Sequence, residues 1–207
     1  MLRDKIDQVN ADIWILTETH REVGPSVFVN HHFSDPIVGL HHAGECRTAI
    51  WSKFPTINIV ETYDPCTALC VELDSPLGGL LVYGTVIPYG QAGLKHPYWF
   101  NCRKQKATSS WELHYEAIAI HQRELSRLKQ AYPNHKICVA GDFNVSLDGH
   151  RWGTNRKQWY GTAVGRSKLI ECLSENRLEL STKLDFVDLG MLATRSNVDH
   201  ICLSHEL

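Results

Sequence analysis

The sequence predicts a layered α/β domain, with helices covering the outer faces of packed sheets. Two observations carry this. Short apolar runs of strand character are joined in some places by turn residues alone and in others by stretches of helical periodicity, the mixture expected where hairpins and helix-linked strands share a sheet system. A length of 207 residues, 43% of them hydrophobic, also suffices for one domain with a full core.

Leu2, Ile6 and Val9 recur at helical spacing, so residues 2–10 read as an amphipathic helix, which Ala11-Asp12 ends. Ile13-Trp14-Ile15-Leu16 is an apolar run of the buried-strand kind, stopping at Thr17-Glu18-Thr19. Residues 20–45, rich in Gly, Pro, Asn and His, read as loop. Thr48–Trp51 is a strand closed by Ser52-Lys53-Phe54-Pro55. Ile57–Thr62 and Ala68–Leu73 alternate around turn residues, which suggests antiparallel pairing, and Leu80–Ile87 is a further strand. Residues 89–111 read as a long aromatic-rich connection. Residues 112–131 form a helix that turns Leu113, Ala117, Ile118, Leu125 and Leu128 to one side, ended by Pro133-Asn134. Lys136–Ala140 is a strand and Gly141–Asn144 a turn. Residues 147–163 read as a polar loop, 164–176 as a helix burying Leu169, Ile170 and Leu173, and Val198–Leu203 as a last strand. No repeat, low-complexity segment or linker divides the chain, which reads as a single domain over residues 1–207.

The formal net charge is −2, so no global basic field exists and nucleic-acid binding would rest on local patches. Two stretches offer such patches. Residues 95–111 carry Lys95, Arg103, Lys104 and Lys106 among Tyr98, Trp99, Phe100 and Trp111, and residues 151–168 carry Arg151, Arg156, Lys157, Arg166 and Lys168 among Trp152, Trp159 and Tyr160. Such mixtures suit phosphate contact and base stacking, and equally a solvated rim with packed aromatics. Cys66 and Cys70 lie close, but no second pair at zinc-finger spacing completes a site, and the seven cysteines read as buried reduced thiols of a cytoplasmic protein. The pairs His31-His32 and His41-His42 read as ordinary loop histidines. No apolar run reaches the roughly 20 residues of a membrane span, and the N-terminus reads as a helix rather than a signal peptide.

Three acidic residues stand at strand ends: Glu18, Asp142 and Asp199. Carboxylates are depleted within strands unless something offsets their cost, and strand ends hold catalytic groups rigidly. Mg²⁺ takes one or two carboxylates and keeps waters for a substrate phosphate.

Four segments in sequence order strengthen this. Ala11-Asp12-Ile13-Trp14-Ile15-Leu16-Thr17-Glu18-Thr19 resembles the "PDIL-x-x-QET" segment of the endonuclease/exonuclease/phosphatase superfamily. Thr48–Pro55 resembles its "G-x-A-I-x-S-R-x-P" strand. Gly141-Asp142-Phe143-Asn144 matches its GDFN motif, and Asn197–Ser204 resembles its "R-I-D-H-I-L-x-S" strand. The resemblance implies a four-layer α/β sandwich of two packed mixed or antiparallel sheets. It implies hydrolysis of phosphodiesters or phosphomonoesters with Mg²⁺ or Mn²⁺, nucleic acid being the leading substrate. Glu18 would be a metal ligand. Asp142 would stand beside the metal and orient or deprotonate the attacking water, Asn144 would hold water and phosphate, and Asp199 would support the site.

Three departures qualify this. The Asn-bearing strand that opens the family fold is missing before the first helix. The closing Ser-Asp-His strand is missing too, unless Asp199-His200 is that pair. In that case His200 is catalytic; otherwise this segment is the strand before it. The Tyr that some members carry falls at Val86, with Tyr89 nearby but not aligned. The two terminal departures suggest an incomplete copy without the first and last strands. The alternative function is therefore an inactive remnant of the fold that acts as a binding module.

Overall fold

The computed structural model describes residues 2–147, 151–152, 156–157, 160–183, 189–190 and 197–205. Three helices are described: α1 (Leu2–Gln8), α2 (Glu112–Ala131) and α3 (Ala163–Glu175). Strands β1 (Ile13–His20), β3 (Glu45–Ser52) and β2 (Asn30–Phe33) lie in that spatial order in an antiparallel three-stranded sheet. A six-stranded mixed sheet packs against it. Its order is β12 (Leu178–Leu180), β13 (Asp199–Ser204), β9 (Lys136–Asp142), β6 (Gly78–Val86), β5 (Ala68–Ser75) and β4 (Thr56–Val60). Only the β6–β9 pair is parallel, and α2 lies in the crossover that such a pair requires. Two short ribbons, β7 (Tyr98–Phe100) with β8 (Arg103–Gln105) and β10 (Arg151–Trp152) with β11 (Arg156–Lys157), complete the described elements.

Strand alternation sends successive side chains of the six-stranded sheet to opposite faces. Leu81, Tyr83, Ile137, Val139 and Cys202 pack with Leu113, Ala117 and Ile118 of α2 and Leu169 and Leu173 of α3. Leu69, Val71, Leu73, Leu80 and Val82 meet Ile50, Ile13 and Ile15 of the smaller sheet. The two sheets approach closely at Gly84, where a Cβ would lie 2.6 Å from Thr48 Cγ2 and 3.1 Å from Ile15 Cγ2. On the far side of the smaller sheet, Trp14, Leu16, Phe28 and Phe33 pack around Trp51, and Gly24 lies so close to the Trp51 ring that a Cβ would meet it at 2.3 Å. The predicted layered sandwich is thus the observed architecture, with a thin outer layer on the smaller sheet.

Several expectations change. Residues 13–16 are half-buried rather than buried, because among the described residues β1 pairs on one side only, with β3. Ile170, expected in the core, is 56% exposed on the outer side of α3. The stretches read as loops contain β2, β7, β8, β10 and β11, whose short lengths and polar residues hide strand periodicity. Cys102 is exposed rather than buried.

Candidate active site

The turn after β9 is built around a glycine. Gly141 has φ 141°, and a Cβ there would lie 2.0 Å from the Thr85 carbonyl oxygen, so only glycine lets β9 run this close to β6. Phe143 is driven into the helix-side core, 1% exposed, with its N–H donating to the Val198 carbonyl at 2.9 Å. Asn144 takes a left-handed φ of 49°. Its backbone N–H donates to Asp142 Oδ1 at 2.8 Å, and its side-chain Nδ2 donates to Asp142 Oδ2 at 3.0 Å and to the Ile87 carbonyl at 2.9 Å. Both oxygens of Asp142 are therefore oriented by one neighbour.

Asp199 is the register partner of Asp142 across the antiparallel β9–β13 pair. Both project from the sheet face that also bears Cys138 and Ala140, the side toward β1. Glu18 reaches the same region from β1. Its φ of 46° interrupts the ladder without shifting it: Thr17 pairs with Thr48 and Thr19 with Cys46, while Glu18 and the facing Arg47 are left unpaired in register. Left-handed backbone at two non-glycine residues, Glu18 and Asn144, costs about 1–3 kcal/mol each and is typical of functional sites.

The three carboxylates feel one another. Burial, then the charges of Asp199 and Glu18, push the Asp142 carboxyl up to about 7, against the lowering effect of the Asn144 hydrogen bonds. The Asp199 carboxyl is pushed up by desolvation and by Glu18. Because Asp199 is open to water by surface area, that shift carries less energy than the one at Asp142. No Lys, Arg or His among the described residues forms an ion pair with any of the three. Uncompensated, converging carboxylates fit a hard divalent cation, which would offset their repulsion. Their oxygens do not close into a cage: among the described residues only Asp64, Cys66 and Cys102 bring three ligand atoms within 4.8 Å of one another. An open arrangement suits Mg²⁺, which retains waters.

His200 does not join these acids. Alternation along β13 puts it on the helix-facing side, 1% exposed, beside the Phe143 ring. Its Nε2 donates to the Val145 carbonyl at 2.8 Å, and Nδ1 accepts from Thr182 Oγ1 at 3.1 Å. The structure thus sets His200 apart from the three acids, beneath the 143–146 turn, the placement expected of the strand before the closing one.

Other residues gather at the rim. Arg47 faces Glu18 across the β1–β3 pair and is 5% exposed. Its Nη1 donates to the Trp99 carbonyl at 2.9 Å, and its guanidinium lies 4.4 Å from the Tyr98 ring centre. Burial pushes the Tyr98 phenol up to about 12, with Arg47, Glu18, Tyr89 and Asp142 all close enough to act on it. The Tyr160 phenol is raised too, by burial and then by Asp142. A cavity of about 530 Å³ beside Glu18 is lined by His20, Leu40, His41, Glu45 and Arg47. His41 accepts the Ile37 N–H at Nδ1, which fixes the tautomer with a proton on Nε2. A second cavity, about 570 Å³, is lined by Leu16, Thr17, Cys138, Gly141, Asp199 and Ile201. Arg47, just before the expected strand Thr48–Trp51, was not read from the sequence as a site residue, and Tyr98 was read only as one aromatic of the 95–111 stretch. Of the two basic–aromatic stretches, Lys104 stacks over Trp99 at 6.0 Å while Phe100 is buried, and the side chains of Arg151, Trp152, Arg156, Lys157 and Trp159 lie outside the described residues. No described helix is long and apolar enough to cross a membrane.

Solved structures share this fold. The chain aligns over 97% of its length with 80% of a 3′-5′ exonuclease (NExo) from Neisseria meningitidis, at TM-score 0.64 and 14% identity. It aligns over 99% with 78% of the endonuclease domain of TRAS1, a telomere-specific non-LTR retrotransposon, at TM-score 0.53 and 13% identity. It also aligns over 99% with 75% of SmcL, at TM-score 0.52 and 14% identity. No curated protein matches the sequence. The model of the Endonuclease/Exonuclease/phosphatase family matches residues 1–207, and the chain, with its GDFN turn set against strand-end acids, belongs to that family.

Proposed function

We propose that this chain hydrolyses phosphodiesters with Mg²⁺ or Mn²⁺, nucleic acid being the leading substrate class. The observation that carries the reading is the Asp142 carboxylate, raised to about 7, oriented by Asn144 and set against Asp199 and Glu18. Glu18 would hold the ion, with Asp142 beside it. Such an ion polarises a phosphoryl oxygen and stabilises the charge that develops in the transition state. Asp142, aimed by Asn144, takes the proton of the attacking water. Both hydrogens of Asn144 Nδ2 are committed, to Ile87 and Asp142, so Asn144 keeps Asp142 aimed and offers its Oδ1 to the water. Asp199, its register partner on β13, supports the site beside Asp142. Arg47, opposite Glu18 on β3, supplies a cation for an incoming phosphate.

The test is hydrolysis of bis(p-nitrophenyl) phosphate and of a labelled oligonucleotide in Mg²⁺, repeated in EDTA and with Asp142→Ala and Glu18→Ala. Turnover is expected to vanish in EDTA and in both variants; unchanged rates in both contradict the reading. One observation favours a second reading, a phosphate-binding module without turnover: His200 lies on the opposite face of the sheet from Asp142. Oligonucleotide binding by the native chain with no cleavage in Mg²⁺ or Mn²⁺ would select it.

A further inference from the structure

We propose that Asp64, Cys66 and Cys102 form a binding site for a thiophilic divalent cation of the zinc type, separate from the strand-end acids. Asp64 and Cys66 lie in the connection between β4 and β5. Cys102 lies in the two-residue turn of the β7–β8 hairpin, where Asn101 and Cys102 take φ values of 54° and 55°. That pair of left-handed residues is the mark of a type I′ hairpin turn.

Backbone bonds fix the three side chains relative to one another. Asp64 Oδ2 accepts the Asn101 N–H at 2.7 Å, while Oδ1 accepts the Cys66 and Cys102 N–H groups at longer distances, 3.2 and 3.3 Å. Oδ1, held by those two N–H groups, is the oxygen that faces sulfur. The two Sγ atoms are 3.7 Å apart, and Cys102 Sγ is 3.6 Å from Asp64 Oδ1. A tetrahedral ion with bonds of about 2.3 Å to sulfur and about 2.1 Å to oxygen needs edges of about 3.8 and about 3.6 Å. The Sγ–Sγ and Cys102 Sγ–Asp64 Oδ1 edges already stand near that spacing, and all three ligand atoms lie within 4.8 Å of one another.

The electrostatics favour a cation over a disulfide. Asp64 is 4% exposed, and no Lys, Arg or His among the described residues pairs with it. On binding a cation each thiol would lose its proton to solvent, two per ion, and no electron moves. Closure to a disulfide would instead need the sulfurs to approach from 3.7 Å to about 2.05 Å. Cys102 is exposed, so an ion can enter and a water can take the fourth position. The occupied site would tie the hairpin that presents Tyr98 and the Trp99 carbonyl to the β4–β5 connection, steadying the rim where Arg47 docks.

The test uses the full chain, freed of metal and kept reduced, titrated with Co²⁺ and then Zn²⁺. We expect one equivalent of Co²⁺ to give sulfur-to-cobalt charge-transfer and tetrahedral ligand-field absorption, displaced by Zn²⁺. Cys102→Ser, at an exposed position that leaves the core untouched, is expected to abolish these bands and weaken binding about 100-fold or more. Asp142→Asn is expected to keep them, which separates this site from the strand-end acids. Absence of the bands, or their persistence in Cys102→Ser, overturns the proposal. So does loss of two thiols in air without any metal bound, which would mark a disulfide instead.

Discussion

The face of the six-stranded sheet that meets α2 and α3 is sealed: Leu81, Tyr83, Ile137, Val139 and Cys202 are each at most 2% exposed. Among the described residues the opposite face is covered only as far as β1. Beyond it Cys138 and Leu203 are half-buried and Ile201 is 44% exposed. The same strands thus carry two environments, and adjacent residues of β13 fall on different sides of the divide. His200, on the sealed face, has its ring nitrogens occupied by Val145 and Thr182 and serves packing. Asp199, on the open face, stands beside Asp142. Three carboxylates without cations could not sit in the sealed layer, where an unpaired charge costs several kcal/mol. On the open face water and an ion can reach them. The sealed face holds the fold so that the open face can carry strain and charge.

That contrast can be broken at several points. The largest effect is expected from Asp142→Asn on the open face: kcat/KM for a phosphodiester should fall by about 10³-fold while the melting temperature holds or rises. Leu128→Ala, at a fully buried position of α2 on the sealed side, should do the reverse, costing about 2–5 kcal/mol in a denaturant titration with little change in the kcat of the folded protein.

The pH dependence of the metal-free chain is a finer probe. Asp142 is raised from 3.8 to about 7 in the folded state, so its protonated form is the one favoured by folding. That contribution is full below about pH 4 and is lost as pH climbs through about 7. Stability of the metal-free chain should therefore decline over that window, by on the order of 2 kcal/mol once partial access to water is allowed for. Thermal melts at several pH values should show it, and Asp142→Asn should flatten the decline. The smallest effect is expected at Ile201→Thr, an exposed site on the open face, where stability should change by about 0.5 kcal/mol or less.

Much of the sealed layer was legible because it is long and periodic. α2 was expected over residues 112–131 and is observed there, since an apolar stripe sustained at helical spacing over five turns fits a helix and no strand. The three strand-end acids were legible as polar residues placed where strands cost them most. What escaped depends on pairing. The half-burial of residues 13–16 follows from β1 having, among the described residues, a partner on one side only, which no local pattern encodes. Which of Asp199 and His200 faces the acids follows from the β9–β13 register, and a shift of one residue would have exchanged them. Cys66 meets Cys102, not the nearby Cys70, because a hairpin folds back 36 residues later in the chain. Tyr98 reaches the rim by that same hairpin.

The central claim is that Glu18 and Asp142 work as one unit on the open face. It is tested most directly by steady-state hydrolysis of bis(p-nitrophenyl) phosphate in Mg²⁺ by the native chain, Glu18→Gln, Asp142→Asn and the double variant, all verified as folded. Groups that act together lose their effect together, so the double variant is expected to be no slower than the worse single variant. Independent losses that multiply in the double variant, or native rates in either single variant, would contradict the account.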